Sequence, residues 1–228
     1  GVITASHHLK HLTVVDCPRM NNAAIINILG MLNKNGVRLK SIHLQGPAFT
    51  GGISIAISDS PCCQDIEVVR LQSVEGETHQ ASLMKLPYLH TLDLGDISDN
   101  RTSISFSLAS ETLHTLHLSS LMRLPKLHFP GLKSLFVKNI SPMAVLWTLQ
   151  DSNCRLEHFS LSDTPNMSSF RYTYNSSLLE SVKECELSNV RGNDCDLLYS
   201  MKDSLESLSL SKISSYEKIT IFNDLICS

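Results

Sequence analysis

The sequence predicts an α/β fold, a solenoid of about nine short parallel strands with helical and extended segments returning along the outside. Three observations predict it. The stretch LHTLDL at Leu89 recurs as LHTLHL at Leu113, 24 positions on. The underlying frame is an apolar residue, two others, an apolar residue, one other and an apolar residue. It recurs nine times from Leu9 to Leu205, at spacings of 30, 27, 23, 24, 19, 24, 26 and 23 residues. The last four residues of each frame alternate between polar and apolar, which is the period of a strand. One such strand cannot bury its apolar side alone, but a stack of them can, one per repeat.

The frames in order are LKHLTV at Leu9, LKSIHL at Leu39, IEVVRL at Ile66, LHTLDL at Leu89 and LHTLHL at Leu113. LKSLFV at Leu132, LEHFSL at Leu156, VKECEL at Val182 and LESLSL at Leu205 complete them. The 13–24 residues between frames must return to the start of the next strand. Residues 21–33 predict a helix with Ala23, Ile26, Leu29 and Leu32 along one stripe, capped by Asn21 or Asn22. GPAFTGG at 46–52 reads as a turn. Residues 142–150 predict a helix with proline in its first turn, where it is tolerated. Residues 193–202 and 216–226 predict two further helices, the first after a turn at RGND, 191–194. The 19-residue repeat from Leu113 has two prolines in LMRLPKLHFPGL and no room for a full helix, so it predicts an extended return.

Composition bounds the function. The chain has 228 residues, of which 42% are hydrophobic, enough for a single domain over residues 1–228. It starts at Gly1 rather than Met, and is read as a fragment of a longer chain. A formal net charge of -3 with no basic stripe argues against a nucleic-acid partner. No apolar run is long enough for a membrane span, and no signal peptide precedes the first repeat. The seven cysteines, at 17, 62, 63, 154, 185, 195 and 227, have no metal-site spacing. They read as small buried hydrophobes of a reducing compartment, which places the chain in the cytoplasm. Four glycan acceptor patterns, at Asn100, Asn139, Asn166 and Asn175, carry little weight, since so Ser- and Thr-rich a chain contains about two or three by chance. There is no Gly-rich phosphate loop, His-Glu-x-x-His or Gly-x-Ser-x-Gly, so no catalytic residue and no cofactor is assigned.

The exposed positions of the frames form columns across adjacent strands. The central column reads Thr13, His43, Arg70, Asp93, His117, Phe136, Ser160, Glu186 and Ser209. In-register strands bring neighbours in this column to about 5 Å. Arg70, Asp93 and His117 are then adjacent, with Phe136 as an exposed aromatic beside them, a residue type that anchors interfaces. An outer column reads Lys10, Lys40, Glu67, His90, His114, Lys133, Glu157, Lys183 and Glu206, with His90 beside His114. His43, His90, His114, His117 and His158 all fall on the strand face. Together with Arg70, Asp93, Phe136 and Glu186 they are the candidate partner-binding residues. A solvated sheet with cross-strand charge matching is the plainest account of this face. A protein-contact hot spot, a pH-sensitive histidine pair and a metal site of His90, His114, His117 and Asp93 are the sharper ones.

The nine frames resemble leucine-rich repeats over nearly the whole chain. That resemblance implies a right-handed horseshoe with the parallel sheet on its concave side, the usual binding face of such arrays. One departure matters. Three residues past each frame, many members carry Asn or Cys. Here the slot reads Cys17, Pro47, Val74, Ile97, Leu121, Ile140, Thr164, Val190 and Ile213. With no Cys-rich cap at either end, the irregular intracellular type is the better match. The repeats are similar to those of NACHT or NOD-like innate immune receptors. This implies a protein or pathogen-derived ligand on the concave face, and contacts with other domains of the parent chain. FPGLKSLFVKNI and LESLSLSKI also look like repeats of F-box ubiquitin ligase adaptors, where they would recognise substrates. A secreted recognition domain would need six of the cysteines paired.

Overall fold

The computed structural model describes residues 8–74, 80–96, 107–121, 124–165, 177–190 and 192–213. In chain order the elements are β1 (His11–Val15), α1 (Asn22–Lys34), β2 (Ser41–Gln45), α2 (Gly52–Asp59), β3 (Val68–Gln72), β4 (Thr91–Gly95) and β5 (Ser107–Ala109). There follow β6 (Thr115–Ser119), β7 (Lys126–His128), β8 (Ser134–Lys138), α3 (Pro142–Leu149), β9 (His158–Ser162), β10 (Glu184–Ser188) and β11 (Ser207–Ser211). Short 3-10 turns cover Pro61–Cys63, Gln80–Lys85, Gln150–Ser152 and Gly192–Ser200. The chain is α/β, and nine strands form one sheet in the order β1-β2-β3-β4-β6-β8-β9-β10-β11. Every pair in it is parallel.

Each sheet strand lies on one of the nine frames and begins at its third position. The register aligns equal frame positions throughout, as in Leu92 with Leu116 and Asp93 with His117. The reason is burial: a slip of one residue would turn every apolar side chain to water. The apolar frame positions are the core, with Leu39, Ile42, Leu89, Leu92, Leu113, Leu116, Leu132, Leu135, Leu156, Phe159 and Leu187 all 0% exposed. The sheet's two ends are barer: Leu9 and Leu210 are exposed.

Two features close each strand. Two residues past the frame the backbone turns left-handed, at Asp16, Ser73, Asp96, Ser120, Asn139, Asp163, Asn189 and Lys212, with φ between 49° and 54°, and at Gly46. Aspartate and asparagine tolerate that conformation best among side-chain-bearing residues, and glycine is at home in it. In every turn but the last, at Lys212, the N–H is aimed at the last carbonyl of the next strand of the sheet, as in Asp96 to Ser119 (2.9 Å) and Asn139 to Ser162 (2.9 Å). One residue further, Val74, Ile140 and Val190 are buried. The aliphatic slot therefore extends the core, and the polar work falls to the residue before it.

The returns differ from expectation in instructive ways. Helix α1 is capped by Asn21, whose side chain accepts from Ala24 N. Its buried residues are Ile25, Leu29 and Leu32, while Ile26 is exposed. The expected stripe was built largely on three-residue steps, which drift around a helix of 3.6 residues per turn. Helix α3 starts at Pro142 and tightens into a 3-10 turn at Gln150–Ser152. Residues 192–200 form 3-10 rather than α-helix, and 216–226 lie outside the described residues. GPAFTGG runs into α2, where Ile53 and Ile57 are buried one turn apart. The 19-residue repeat returns extended as β7, which pairs in parallel with β5 in a second small sheet. Beside it the buried Ser152 hydroxyl donates to Leu127 O and accepts from Phe129 N.

Candidate functional site: the polar face of the sheet

The sheet presents one side to the apolar core and leaves the other to polar residues. On that polar face the central column assembles in the order expected, Thr13, His43, Arg70, Asp93, His117, Phe136, Ser160, Glu186, Ser209. The Arg70 Nε lies 4.0 Å from Asp93 Oδ2, and Gln72 Nε2 donates to the same oxygen at 3.3 Å. The Asp93 side chain is only 15% exposed, so these two donors compensate a carboxylate largely removed from water.

The middle of the face is aromatic. The His117 ring stacks on Phe136 with centroids 4.1 Å apart and planes 5° off parallel. His158 lies against Phe136 at 4.9 Å, tilted by 38°. Phe136 is therefore half-buried between two imidazoles rather than an exposed aromatic. Burial holds His117 below its ordinary pKa; Arg70 and His158 push the same way and Asp93 opposes them. The His158 Nδ1 is 3.1 Å from Glu184 Oε2, and the Ser160 hydroxyl reaches Glu186 Oε2 at 3.5 Å. The Nε2 atoms of His43 and His158 are buried, with no hydrogen-bond partner among the described residues.

The outer column is a backbone ladder as well as a charge ladder. Each member's N–H donates to the carbonyl of the one before, as in His114 to His90 at 2.9 Å and Lys133 to His114 at 2.9 Å. Opposite charges pair at three places along it: Lys40–Glu67 at 2.7 Å, Lys133–Glu157 at 3.2 Å and Lys183–Glu206 at 3.1 Å. The Lys40–Glu67 hydrogen bond raises the lysine pKa and lowers that of the carboxyl. All these pairs are well exposed, so each contributes little to stability.

Two expectations change. His90 turns its imidazole to Glu67 (3.7 Å) and Thr91 (3.0 Å), so a carboxylate rather than His114 is its charged neighbour. Among the described residues no group of three or more His, Cys, Asp or Glu side chains gathers to hold a metal. His90 faces Glu67 and Asp93 faces Arg70, so the side chains of the metal reading, His90, His114, His117 and Asp93, do not converge on one point.

Sequence reasoning missed the left-handed turn row. At the end of the sheet Asn139 Nδ2 donates to Ser120 Oγ (3.1 Å) and Asn189 Nδ2 to Asp163 Oδ1 (2.8 Å). The signal is a recurrence of Asp, Asn, Ser or Gly two residues past eight of the nine frames, with Lys212 after the last, one position before the aliphatic slot. The cysteines divide by environment. Cys17, Cys62, Cys63 and Cys154 carry free thiols, which leaves three of the seven cysteines, too few for the six paired ones a secreted recognition domain would need. Cys62 is buried, and the Cys63 hydrogen bond lowers its thiol to about 6; burial pushes Cys154 up to about 11.

No helix among the described residues is long and apolar enough to cross a membrane. No protein-family model, curated protein or solved structure matches the chain.

Proposed function

We propose that the chain is a leucine-rich repeat solenoid, a right-handed horseshoe whose polar sheet face is its concave surface. It acts without catalysis, as a recognition domain for a protein or pathogen-derived ligand. The observation that carries this reading is the His117–Phe136–His158 stack at the middle of an otherwise polar face. A ring held between two others is rigid before any partner arrives, so little conformational entropy is lost when it is covered. Arg70 and Asp93 beside it supply oriented polar contacts. Aromatic anchors flanked by such groups are where binding energy concentrates.

Within the resemblance, the reading is the sensing segment of a cytoplasmic innate immune receptor of the NACHT or NOD-like type. The free thiols and the mostly aliphatic slot after the turns support an intracellular member. The same slot also suits an F-box adaptor, whose repeats would select substrates for ubiquitination. The parent transcript separates the two: an upstream Gly-x-x-x-x-Gly-Lys-Ser/Thr loop identifies a nucleotide-switched sensor, and a short helical F-box an adaptor.

The recognition reading is tested by panning a random peptide display library on the chain. Binders are expected to lose the Asp93→Lys/Phe136→Asp variant while its far-UV circular dichroism stays that of wild type. Binders that hold this folded variant unchanged remove the central face from consideration.

A further inference from the structure

Two neighbouring thiols share one turn, outside the polar face. Cys62 and Cys63 are adjacent in the 3-10 turn Pro61–Cys63, between α2 and β3. Both residues are 0% exposed, and both thiols are free. Their sulfurs lie 3.9 Å apart. As a thiol, Cys62 donates to Leu29 O of α1 at 3.6 Å, and the Ser60 hydroxyl lies 3.1 Å from the same sulfur. Arg38 donates to the Pro61 carbonyl of this turn. The turn also anchors the sheet. Leu39 N donates to Cys62 O at 2.8 Å and Ile66 N to Cys63 O at 3.0 Å. Leu39 and Ile66 open the second and third frames.

The two thiols are not equivalent. Once Cys62 loses its proton, its sulfur accepts from the Cys63 thiol and the Ser60 hydroxyl, and the Arg38 guanidinium favours the negative charge. The same hydrogen bond, with burial, pushes the Cys63 thiol up. Cys62 is thus the nucleophile and Cys63 the neighbour that keeps its proton, a division of roles that suits thiol oxidation. Adjacent Cα atoms are about 3.8 Å apart, closer than the roughly 4.4–6.8 Å that disulfides usually span. A bond between these two sulfurs is therefore strained and easily reduced, as regulatory disulfides are.

We propose that Cys62 and Cys63 are a peroxide-responsive pair, oxidised reversibly to a disulfide between adjacent residues that loosens the starts of the second and third frames. The Cys62 thiolate attacks one peroxide oxygen. The O–O bond breaks, hydroxide leaves and takes up the proton Cys62 released, and Cys62 becomes a sulfenic acid. The Cys63 sulfur then attacks the Cys62 sulfur. The S–O bond breaks, the S–S bond forms, and the hydroxyl group departs with the Cys63 proton as water. Two thiols and one peroxide give one disulfide and two waters; the sulfurs lose the two electrons that the peroxide gains. Burial selects the oxidant: hydrogen peroxide is close to water in size and enters on local opening of a three-residue turn, whereas bulky thiol reagents are kept out. The sulfurs must close from 3.9 Å to about 2 Å, which draws Cys62 away from Leu29 and Ser60 and turns the carbonyls that hold Leu39 and Ile66. In a reducing compartment the dithiol is the resting state and the disulfide a transient one. The inference holds whatever the polar face binds.

The test treats the intact 228-residue chain with hydrogen peroxide, alkylates the remaining thiols after unfolding and maps the products with trypsin. No lysine or arginine lies between Lys40 and Arg70, so peptide 41–70 carries Cys62 and Cys63 and no other cysteine. Peptide 11–19 carries Cys17 alone and serves as the exposed control. Peptide 41–70 is expected to escape alkylation, to lose two hydrogens and to recover both thiols with dithiothreitol. Cys63→Ala should stop at a Cys62 sulfenic acid that dimedone labels, and Cys62→Ala should leave Cys63 unoxidised. Amide hydrogen exchange at Leu39 and Ile66 should rise on oxidation and fall back on reduction. The wild-type peptide decides the matter even if a variant folds poorly. An alkylated peptide 41–70 at peroxide concentrations that oxidise Cys17, or added oxygen in place of lost hydrogens, overturns the inference. So does unchanged exchange at Leu39 and Ile66 once the disulfide has formed.

Discussion

Leu116→Ala tests the assignment of the frame to the core. Leu116 is the fourth frame position of β6, 0% exposed, and its register partners Leu92 and Leu135 are also 0% exposed. The substitution removes three carbons, which at about 0.8 kcal/mol per buried methylene is roughly 2.4 kcal/mol of lost transfer energy. The hole left between two well-packed strands adds a cavity term, so the expected loss is about 2–5 kcal/mol. Leu210→Ala is the matched control, because Leu210 also holds an apolar frame position but is 38% exposed. It should cost under about 1 kcal/mol. Urea unfolding followed by far-UV circular dichroism is the assay. Fluorescence is the poorer choice, since the single tryptophan, Trp147, is already 71% exposed in the folded chain. A Leu116→Ala loss no larger than that of Leu210→Ala would refute the claim that the frame defines the core.

Other expectations follow from single residues. His117 is held below its ordinary pKa of 6.5 by burial, so its contribution is present above that value and fades as pH falls through the depressed folded pKa. Its imidazole should titrate below 6.5 by NMR, and His117→Gln should lessen the stability lost on acidification; an unshifted titration would contradict the stacked site. At Gly131 an added Cβ would lie 2.7 Å from the Glu111 carbonyl oxygen, so Gly131→Ala forces backbone apart and should cost about 1–3 kcal/mol in urea unfolding. Gly30 lies in α1 with nothing within 4 Å of such a Cβ, and Gly30→Ala should stabilise by about 0.5–1 kcal/mol in the same assay. Asn139→Ala loses both the tolerated left-handed turn and the Ser120 hydrogen bond, about 1–2 kcal/mol, whereas Asn139→Gly should lose less.

The strands were legible in the sequence because a period of two, repeated nine times, leaves no other way to bury the apolar positions. The register followed from the same frames, so the order of the central column was readable before any side chain had coordinates. Side-chain partners were less legible. The spacing places Phe136 beside His117 but does not tell that His158 closes on the same ring, or that His90 turns to Glu67, because those choices depend on rotamers and local burial. Helix faces failed where three-residue steps stood in for a 3.6-residue turn, as at Ile26. The turn row is hard to read for a simpler reason: its polar residue stands one position before the slot where Val74, Ile140 and Val190 are buried, and Asp, Asn, Ser and Gly share no single side chain. Helix α2 was masked by the glycines around it, which read locally as a turn.

The central claim, that the polar sheet face is the recognition surface, is tested most directly by NMR. A display-selected peptide would be titrated into the isotope-labelled chain and backbone and methyl shifts followed. The account predicts the largest shifts on β4, β6, β8, β9 and β10, around Asp93, His117, Phe136, Ser160 and Glu186. Shifts confined to α1, α2 and α3 on the opposite side, with the sheet residues unmoved, would contradict it.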